Sequence, residues 1–158
     1  MKRLSHVRGD GSIAMVDVGG KSPTARTARA QARVRMNGAA ASALRDATLA
    51  KGDALAAAQI AGILAAKRTD ELIPLAHPLA LASVDVAFAW DGEGVLLVDA
   101  RAATVGPTGV EMEAMVAASV AALTIYDMCK ALDKGIVVEG VRLLEKTGGK
   151  SGDWKAPA

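Results

Sequence analysis

The chain has 158 residues, of which 51% are apolar, and its 19 basic and 17 acidic residues leave a formal net charge of +2. This length favours one domain, which we expect to span residues 1–158. A charge so nearly balanced argues against a dedicated nucleic-acid-binding protein. The single cysteine, Cys129, excludes an intramolecular disulfide and suits a reducing compartment.

No segment of the sequence is typical of a membrane protein. The N-terminal string MKRLSHVRGDGSIAM lacks the apolar region of a signal peptide. The longest uncharged runs, Ala54–Ala66 and Ala114–Tyr126, fall well short of the roughly 20 residues that span a bilayer. We therefore expect a cytoplasmic protein with no membrane partner.

The first half of the chain predicts one strand and then helices. Polar and apolar residues alternate over Thr27–Met36, as in a half-buried strand. Residues 39–50 predict a helix, which Lys51–Asp53 interrupts, and Ala54–Lys67 predicts a second helix with Asp53 as its N-cap. The proline-containing stretch RTDELIPLAHPLA that follows predicts a loop.

The second half predicts a hairpin, a long helix and a last strand. Ser83–Trp90 and Val95–Thr104 flank the turn sequence DGEG and predict a β-hairpin. A helix is predicted over Val110–Lys134, ended by Gly135. Ile136–Lys146 predicts a final strand, and the glycine-rich tail predicts a loop.

The order β-α-β-β-α-β is that of the α+β ferredoxin-like fold, a split βαβ arrangement. It predicts an antiparallel sheet with helices on one face. The two ends of the domain, residues 1–12 and 151–158, are polar and contain glycine, and we expect them to be flexible.

The helix predicted over Val110–Lys134 has charged residues only near its ends. Glu113, Asp127 and Lys130 fall within a sector of about 100°, and Glu113 lies about 21 Å from Asp127 along the axis. One small ligand would not easily touch both ends within one subunit.

Asp127 and Lys130 fit a surface ion pair. Their apolar flanks instead favour interior charges that work as base and acid.

Two further features have a structural as well as a functional interpretation. Glu111 and Glu113 suit the first turn of a helix, where carboxylates complement the helix dipole. His77 precedes Pro78 on a stiff loop, where it is either inconsequential or placed for hydrogen bonding and proton transfer. No ligand spacing supports a metal site built from His77 and the glutamates, and we predict none.

The tail and several lysines suggest a site for an anion. The string GGKSG lacks the first glycine of a P-loop, because Leu144 stands in its place. Lys146 and Lys150 beside these glycines nevertheless suit phosphate groups, as does Lys51 before a helix. For any single lysine, a solvated side chain is the simpler interpretation.

Six strings occur in this order: MVDVGGK, KGD, AKRTDELIPLAHPL, TGVEMEA, ASVAALTIYDMCKA and EKTGGKSGDW. Together they resemble the molybdenum cofactor biosynthesis protein C family, the cyclic pyranopterin monophosphate synthases, over about residues 13–154. The resemblance implies a lyase that converts (8S)-3′,8-cyclo-7,8-dihydroguanosine 5′-triphosphate to cyclic pyranopterin monophosphate and diphosphate. A radical enzyme would supply that substrate from GTP.

The resemblance also implies an assembly and a set of site residues. Family members are hexamers, trimers of dimers, with sites at the dimer interfaces. Asp127 resembles the catalytic aspartate, Lys130 its acid or electrostatic partner, and Lys51 a second catalytic lysine. The expected substrate contacts are Leu75, Ala76, His77, Met112, Glu113, Lys146, Lys150 and Lys67. No cofactor is implied with certainty, and whether Mg²⁺ accompanies the triphosphate stays open.

Two positions depart from the family pattern. Ala76 stands where cysteine is common, so no essential chemistry rests on a thiol there. Pro107 stands where a lysine or arginine often precedes TG, so another cation is needed if that charge holds phosphate. The alternative function is a non-catalytic ferredoxin-like module that binds a nucleotide or RNA. An RNA module should carry aromatics on its central strands.

Overall fold

The computed structural model describes residues 5–158 and contains one five-stranded sheet with helices on one face. Every pair of neighbouring strands is antiparallel, in the order β2-β3-β1-β4-β5. The four long strands and their crossovers confirm the α+β split βαβ arrangement. In chain order the elements are β1 (Thr24–Arg35), α1 (Gly38–Arg45), α2 (Ala54–Lys67), α3 (Thr69–Leu72), β2 (Leu81–Trp90), β3 (Val95–Gly106), α4 (Glu111–Cys129), β4 (Val137–Thr147) and β5 (Trp154–Lys155).

The core lies between the sheet and the helix pair α2–α4. The alternation in β1 buries Ala28, Ala30, Ala32 and Val34 on the face that α4 covers, while Arg29, Arg33 and Arg35 of the same strand lie on the open face. Small side chains on β1 and α4 let the helix lie close to the sheet. This packing fixes both ends of α4, which carry the candidate site residues.

Gly62 sets the approach of α2 to α4. A Cβ at this position would lie 3.0 Å from the carbonyl oxygen of Ala117, 3.0 Å from Val86 Cγ2 and 3.3 Å from Ala121 Cβ. The Ala117 carbonyl belongs to the backbone of α4, so it cannot move aside as the end of a flexible side chain could. The α2–α4 contact would therefore have to widen by a few tenths of an ångström to admit even the Cβ of an alanine at position 62.

Replacing Gly62 with valine is expected to destabilise the fold by about 1–3 kcal/mol, because the side chain overpacks the α2–α4 contact. Urea unfolding followed by circular dichroism measures the loss. Ala61→Val is the control, since Ala61 is only half-buried and carries the same cost of a β-branched residue in a helix. Equal effects of the two substitutions would contradict the tight contact.

The predicted helix over Val110–Lys134 is too long at its C-terminal end. The structure ends α4 at Cys129, with Lys130 as C-cap. The carboxylate of Asp133 accepts hydrogen bonds from the backbone N–H of Gly135 and of Asn37, at 2.8 Å each. These bonds offer the chain a turn in place of further helix.

Other bounds differ where local turns replace regular structure. The first helix ends at Arg45 rather than residue 50, and Ala47 has a left-handed φ of 53°. The Asp53 N-cap is confirmed by its hydrogen bond from Ala56 N at 3.0 Å. The predicted loop after Lys67 contains the short helix α3, and the predicted tail loop contains β5.

Residues 1–12 were expected to be flexible, and residues 1–4 of that stretch lie outside the described part of the chain. Residues 5–14 form a tight turn with a bridge between Val7 and Ile13. Within the described chain, α4 is the one helix that is long and apolar enough, by length and composition, to cross a membrane, and half of that span is buried inside the fold. A core helix has the same character.

Candidate functional site

A cleft of about 400 Å³ lies at the N-terminal end of α4. It is bounded by the start of the helix, by the loop between α3 and β2, and by the chain before β1. Five predicted substrate contacts line it together: Leu75, Ala76, His77, Met112 and Glu113. The fold thus joins two segments that are remote in sequence, as expected if both contact one ligand.

The carboxyl group of Glu113 is buried in the wall of this cleft. The residue is only 4% exposed. Burial raises its pKa above the ordinary value, and the negative charges of Glu111 and Asp70 raise it further, while its own backbone N–H and His77 oppose the shift. A carboxyl group with a raised pKa can hold or release a proton nearer neutral pH, which suits general acid–base chemistry.

Lys146 lies at the edge of the same region. Its ammonium group donates to Ser151 Oγ at 2.6 Å and lies 3.9 Å from the carboxylate of Glu111, which lines the cleft. Gly148 makes this arrangement possible, because its φ is +83° and a Cβ there would lie 2.2 Å from the Ala25 carbonyl oxygen. The turn therefore brings the tail against the beginning of β1.

Arg26 places a guanidinium group at the turn that contains Pro107. Its Nε donates to the Gly106 carbonyl at 3.0 Å and its Nη2 to the Pro107 carbonyl at 3.2 Å. The same group lies against Gly149, where a Cβ would be 2.1 Å from Nη1. The turn that contains Pro107 thus receives a guanidinium group from β1.

A second cluster, Lys51–Asp127–Lys130, lies at the C-terminal end of α4. Lys130 Nζ donates to Asp127 Oδ1 at 2.6 Å, and Lys51 Nζ donates to Asp127 Oδ2 at 3.2 Å and to its backbone carbonyl at 2.7 Å. The two lysines lower the pKa of the Asp127 carboxyl, Lys130 more than Lys51, and Asp127 raises the pKa of Lys130. The cluster is therefore a carboxylate held between two ammonium groups.

Asp127 and Lys130 are not interior charges within the single chain, although their apolar flanks favoured burial. Their side chains are 57% and 49% exposed in the single chain, and that of Lys51 is 44% exposed. A carboxylate in the last turn of a helix faces the negative end of the helix dipole, so this placement is unfavourable without nearby cations. The two lysines offset that cost and leave the Asp127 carboxylate open to a ligand.

The cleft and the Lys51–Asp127–Lys130 cluster do not meet within one chain. The 14 residues from Glu113 to Asp127 span about 21 Å of helix, which separates the cleft from the Lys51–Asp127–Lys130 cluster. Lys67 ends α2 and Lys150 follows β4, both exposed, and neither lines the cleft. Their roles as substrate contacts stay predictions.

The sequence did not single out the cleft residues that precede β1. Ser5, His6, Val16, Val18 and Lys21 form one wall. The string MVDVGGK, one of the six that carry the family resemblance, contains the last three of them and could have indicated that this segment belongs to the site. His6 and Ser5 have no recognisable motif around them.

No group of three or more His, Cys, Asp or Glu side chains within residues 5–158 converges to hold a metal ion. Cys129 is a free, buried thiol, and burial raises its pKa. A buried thiol with a raised pKa is a poor nucleophile.

Known proteins that resemble this chain match it over almost its whole length. A protein of Novosphingobium aromaticivorans named cyclic pyranopterin monophosphate synthase is 56% identical, with 99% of each chain covered. Proteins of the same name from Bacillus velezensis and Corynebacterium glutamicum (strain R) are 52% and 55% identical, covering 100% and 98% of this chain and 95% and 98% of their own. The family model described as the MoaC family matches residues 15–149. The chain belongs to the MoaC family.

Proposed function

We propose that this protein is a cyclic pyranopterin monophosphate synthase of molybdenum cofactor biosynthesis. The reaction converts (8S)-3′,8-cyclo-7,8-dihydroguanosine 5′-triphosphate to cyclic pyranopterin monophosphate and releases diphosphate. The observation that carries the proposal is identity of 51–56% to proteins of that name over nearly the full chain.

The chemistry of the proposed reaction matches the groups in the two clusters. Rebuilding a purine as a pterin and closing a cyclic phosphate both require proton transfers. In the Lys51–Asp127–Lys130 cluster, the ionised Asp127 serves as base and Lys130 as acid or electrostatic partner. Lys51 stabilises developing negative charge. Glu113 and the cleft around it contact the ring system.

The triphosphate requires cations beyond the catalytic cluster. Lys146 is only 18% exposed at its side chain and lies between Glu111 and Ser151, so its ammonium group is already positioned. We assign phosphate contacts to Lys146, to Lys150 in the following turn and to Lys67. Arg26, bound to the Pro107 carbonyl, supplies the charge that Pro107 lacks.

The proposed enzyme is a homo-oligomer in which two chains pool the two clusters in one site. This arrangement is supported by the outer surface of the helical layer, where Ile60, Leu64 and Leu123 are 61%, 48% and 60% exposed. Neither α2 nor α4 carries a charged residue between Ala54 and Ala66 or between Ala114 and Tyr126. Helices that lack charge even on their outer faces are typical of subunit contacts. We propose a hexamer, as a trimer of dimers.

The protein is further proposed to act in the cytoplasm, downstream of the radical enzyme that makes its substrate from GTP. A role in RNA binding is disfavoured by the sheet. Phe88 and Trp90 share the helix-covered face of β2 with Val86. The open face of the described sheet presents instead charged pairs such as Arg29–Asp99, without an aromatic platform for bases.

Turnover by the purified protein tests this proposal. Incubation with the cyclo-triphosphate is expected to yield cyclic pyranopterin monophosphate and diphosphate in equal amounts, each quantified by chromatography and a coupled phosphate assay. GTP itself is the matched control substrate, because it carries the same triphosphate without the cyclised ring. Absence of turnover by the wild-type protein would contradict the proposal.

A further inference from the structure

One wall of the cleft is built by a segment with almost no packing of its own. We call residues 5–23 the strap; it precedes β1 and contributes Ser5, His6, Val16, Val18 and Lys21 to the cleft. Only Ala14, Val16 and Val18 in the strap are half-buried, and its other residues are exposed. Apolar burial therefore holds the strap weakly against the domain.

The hydrogen bonds of the strap are nearly all internal. Ala14 N donates to the His6 carbonyl at 3.0 Å, and Lys21 N donates to the Val18 carbonyl at 3.0 Å. Within residues 5–158, one hydrogen bond joins the strap to the rest of the fold, between His77 Nε2 and the Val16 carbonyl at 2.6 Å. No ion pair of the described chain joins them either.

The partner of His77 determines which of its nitrogens carries a proton. A carbonyl oxygen can only accept, so Nε2 of His77 is the donor, and a neutral ring is the Nε2–H tautomer. That nitrogen is already bound to the strap and cannot at the same time exchange a proton with a substrate. The loop that holds His77 is stiff, because Pro78 follows it directly.

We propose that His77 is a positioning residue, which ties the strap across the cleft so that Val16, Val18 and Lys21 close over a bound substrate. The stiff loop supplies the fixed point, and the strap supplies the movable wall. Breaking the bond opens the cleft without changing the groups that carry out proton transfer. This role rests on the proposed function only for its effect on substrate; the tie itself exists in the free protein.

Hydrogen–deuterium exchange of the ligand-free protein tests the tie directly. In His77→Ala, peptides from the strap are expected to exchange about three- to tenfold faster than in the wild type, as for loss of one hydrogen bond that limits local opening. In His77→Gln, the side-chain amide N–H reaches the position of Nε2, and exchange is expected to return close to the wild-type rate. Peptides from α4 serve as the internal reference. Unchanged exchange in His77→Ala, or no rescue in His77→Gln, would overturn the proposal.

Steady-state kinetics separates positioning from proton transfer. His77→Ala is expected to raise KM for the cyclo-triphosphate about tenfold with a smaller fall in kcat, because the strap contributes to binding. His77→Gln is expected to recover most of the KM change, although glutamine cannot transfer a proton. A fall in kcat of ~10²-fold in His77→Gln with normal exchange in the strap would assign His77 to proton transfer and overturn its positioning role. If wild-type turnover is absent, the exchange experiment still decides whether the tie exists.

Discussion

Replacing Asp127 with alanine is expected to lower kcat by at least ~10²-fold, the usual contribution of a general acid or base, without dissociating the oligomer. The same loss is expected for Lys130→Ala. Both side chains are about half exposed in the single chain; they form an ion pair with each other, and Asp127 also pairs with Lys51. Exposed ion pairs contribute little to folding, so activity and stability should separate. Steady-state kinetics and size-exclusion chromatography measure the two effects.

Lys134→Ala is the matched control for these variants. Lys134 lies four residues beyond Lys130 in the exposed turn after α4, and its side chain makes no ion pair within the described residues. Its replacement should leave kcat within about twofold of the wild-type value. Near-normal turnover in both Asp127→Ala and Lys130→Ala would refute the assignment of this cluster to catalysis.

The pH profile of a Lys130 variant provides an independent check on the electrostatics. Lys130 is the largest cause of the lowered pKa of the Asp127 carboxyl. Removing its charge should therefore raise that pKa. The acid limb of the rate profile of Lys130→Ala, measured on its residual activity, is expected at higher pH than in the wild type. A limb that does not move, or moves to lower pH, would contradict the coupling.

Glu113→Gln is expected to raise the folding stability of the protein and to lower its enzymatic activity. In the folded chain burial raises the pKa of Glu113, whereas in the unfolded chain it has its ordinary value. Below that ordinary value both states are protonated, and the group has no effect on stability. As the pH rises above the ordinary pKa, the unfolded chain loses its proton before the folded chain does. Folding is therefore disfavoured increasingly until the pH passes the raised pKa of the folded chain. At pH 7 the glutamine variant should therefore be more stable by about 0.5–2 kcal/mol, with the gain absent below about pH 4.

The activity of Glu113→Gln is expected to fall about 10²-fold, since the amide cannot exchange a proton with the ring system. Thermal unfolding at pH 4 and pH 7 and steady-state kinetics measure the two effects. Glu93→Gln is the control, because Glu93 is exposed in the β2–β3 turn and should change neither quantity. A Glu113→Gln protein that is less stable at both pH values, or that is fully active, would contradict the role of this residue.

The arrangement of the sheet could be predicted because β1 and β2 alternate strictly between polar and apolar faces. Ala28, Ala30, Ala32 and Val34 admit one orientation of β1, and the turn DGEG fixes β2 against β3. The segments around His77 and Glu113 were predicted to contact one substrate from a resemblance, and the fold places both in one cleft. The two segments lie together because of the register of the sheet, and the alternation of polar and apolar residues constrains that register.

The rest depends on contacts that no local pattern encodes. The end of α4 follows from hydrogen bonds of the Asp133 carboxylate to remote backbone groups. The exposure of Asp127 could not be inferred, because an apolar helix suggests burial on every side, and here the uncharged outer faces lie on the surface of the single chain. Arg26 lies before the strand predicted from Thr27, so no role could be assigned to it from the sequence, and its approach to Pro107 arises from the pairing of β1 with β3.

The central claim is that one active site takes Glu113 from one chain and Asp127 from another. Co-expression of Glu113→Gln and Asp127→Ala chains with different affinity tags, and purification through both tags, tests it most directly. Each variant alone is expected to be nearly inactive. Random pairing makes about half of the dimers mixed, and each mixed dimer has one site with neither substitution. The unsorted mixture should therefore regain about a quarter of wild-type kcat per chain, and assemblies selected for both tags should regain more. A mixture no more active than its two parents would contradict a shared site.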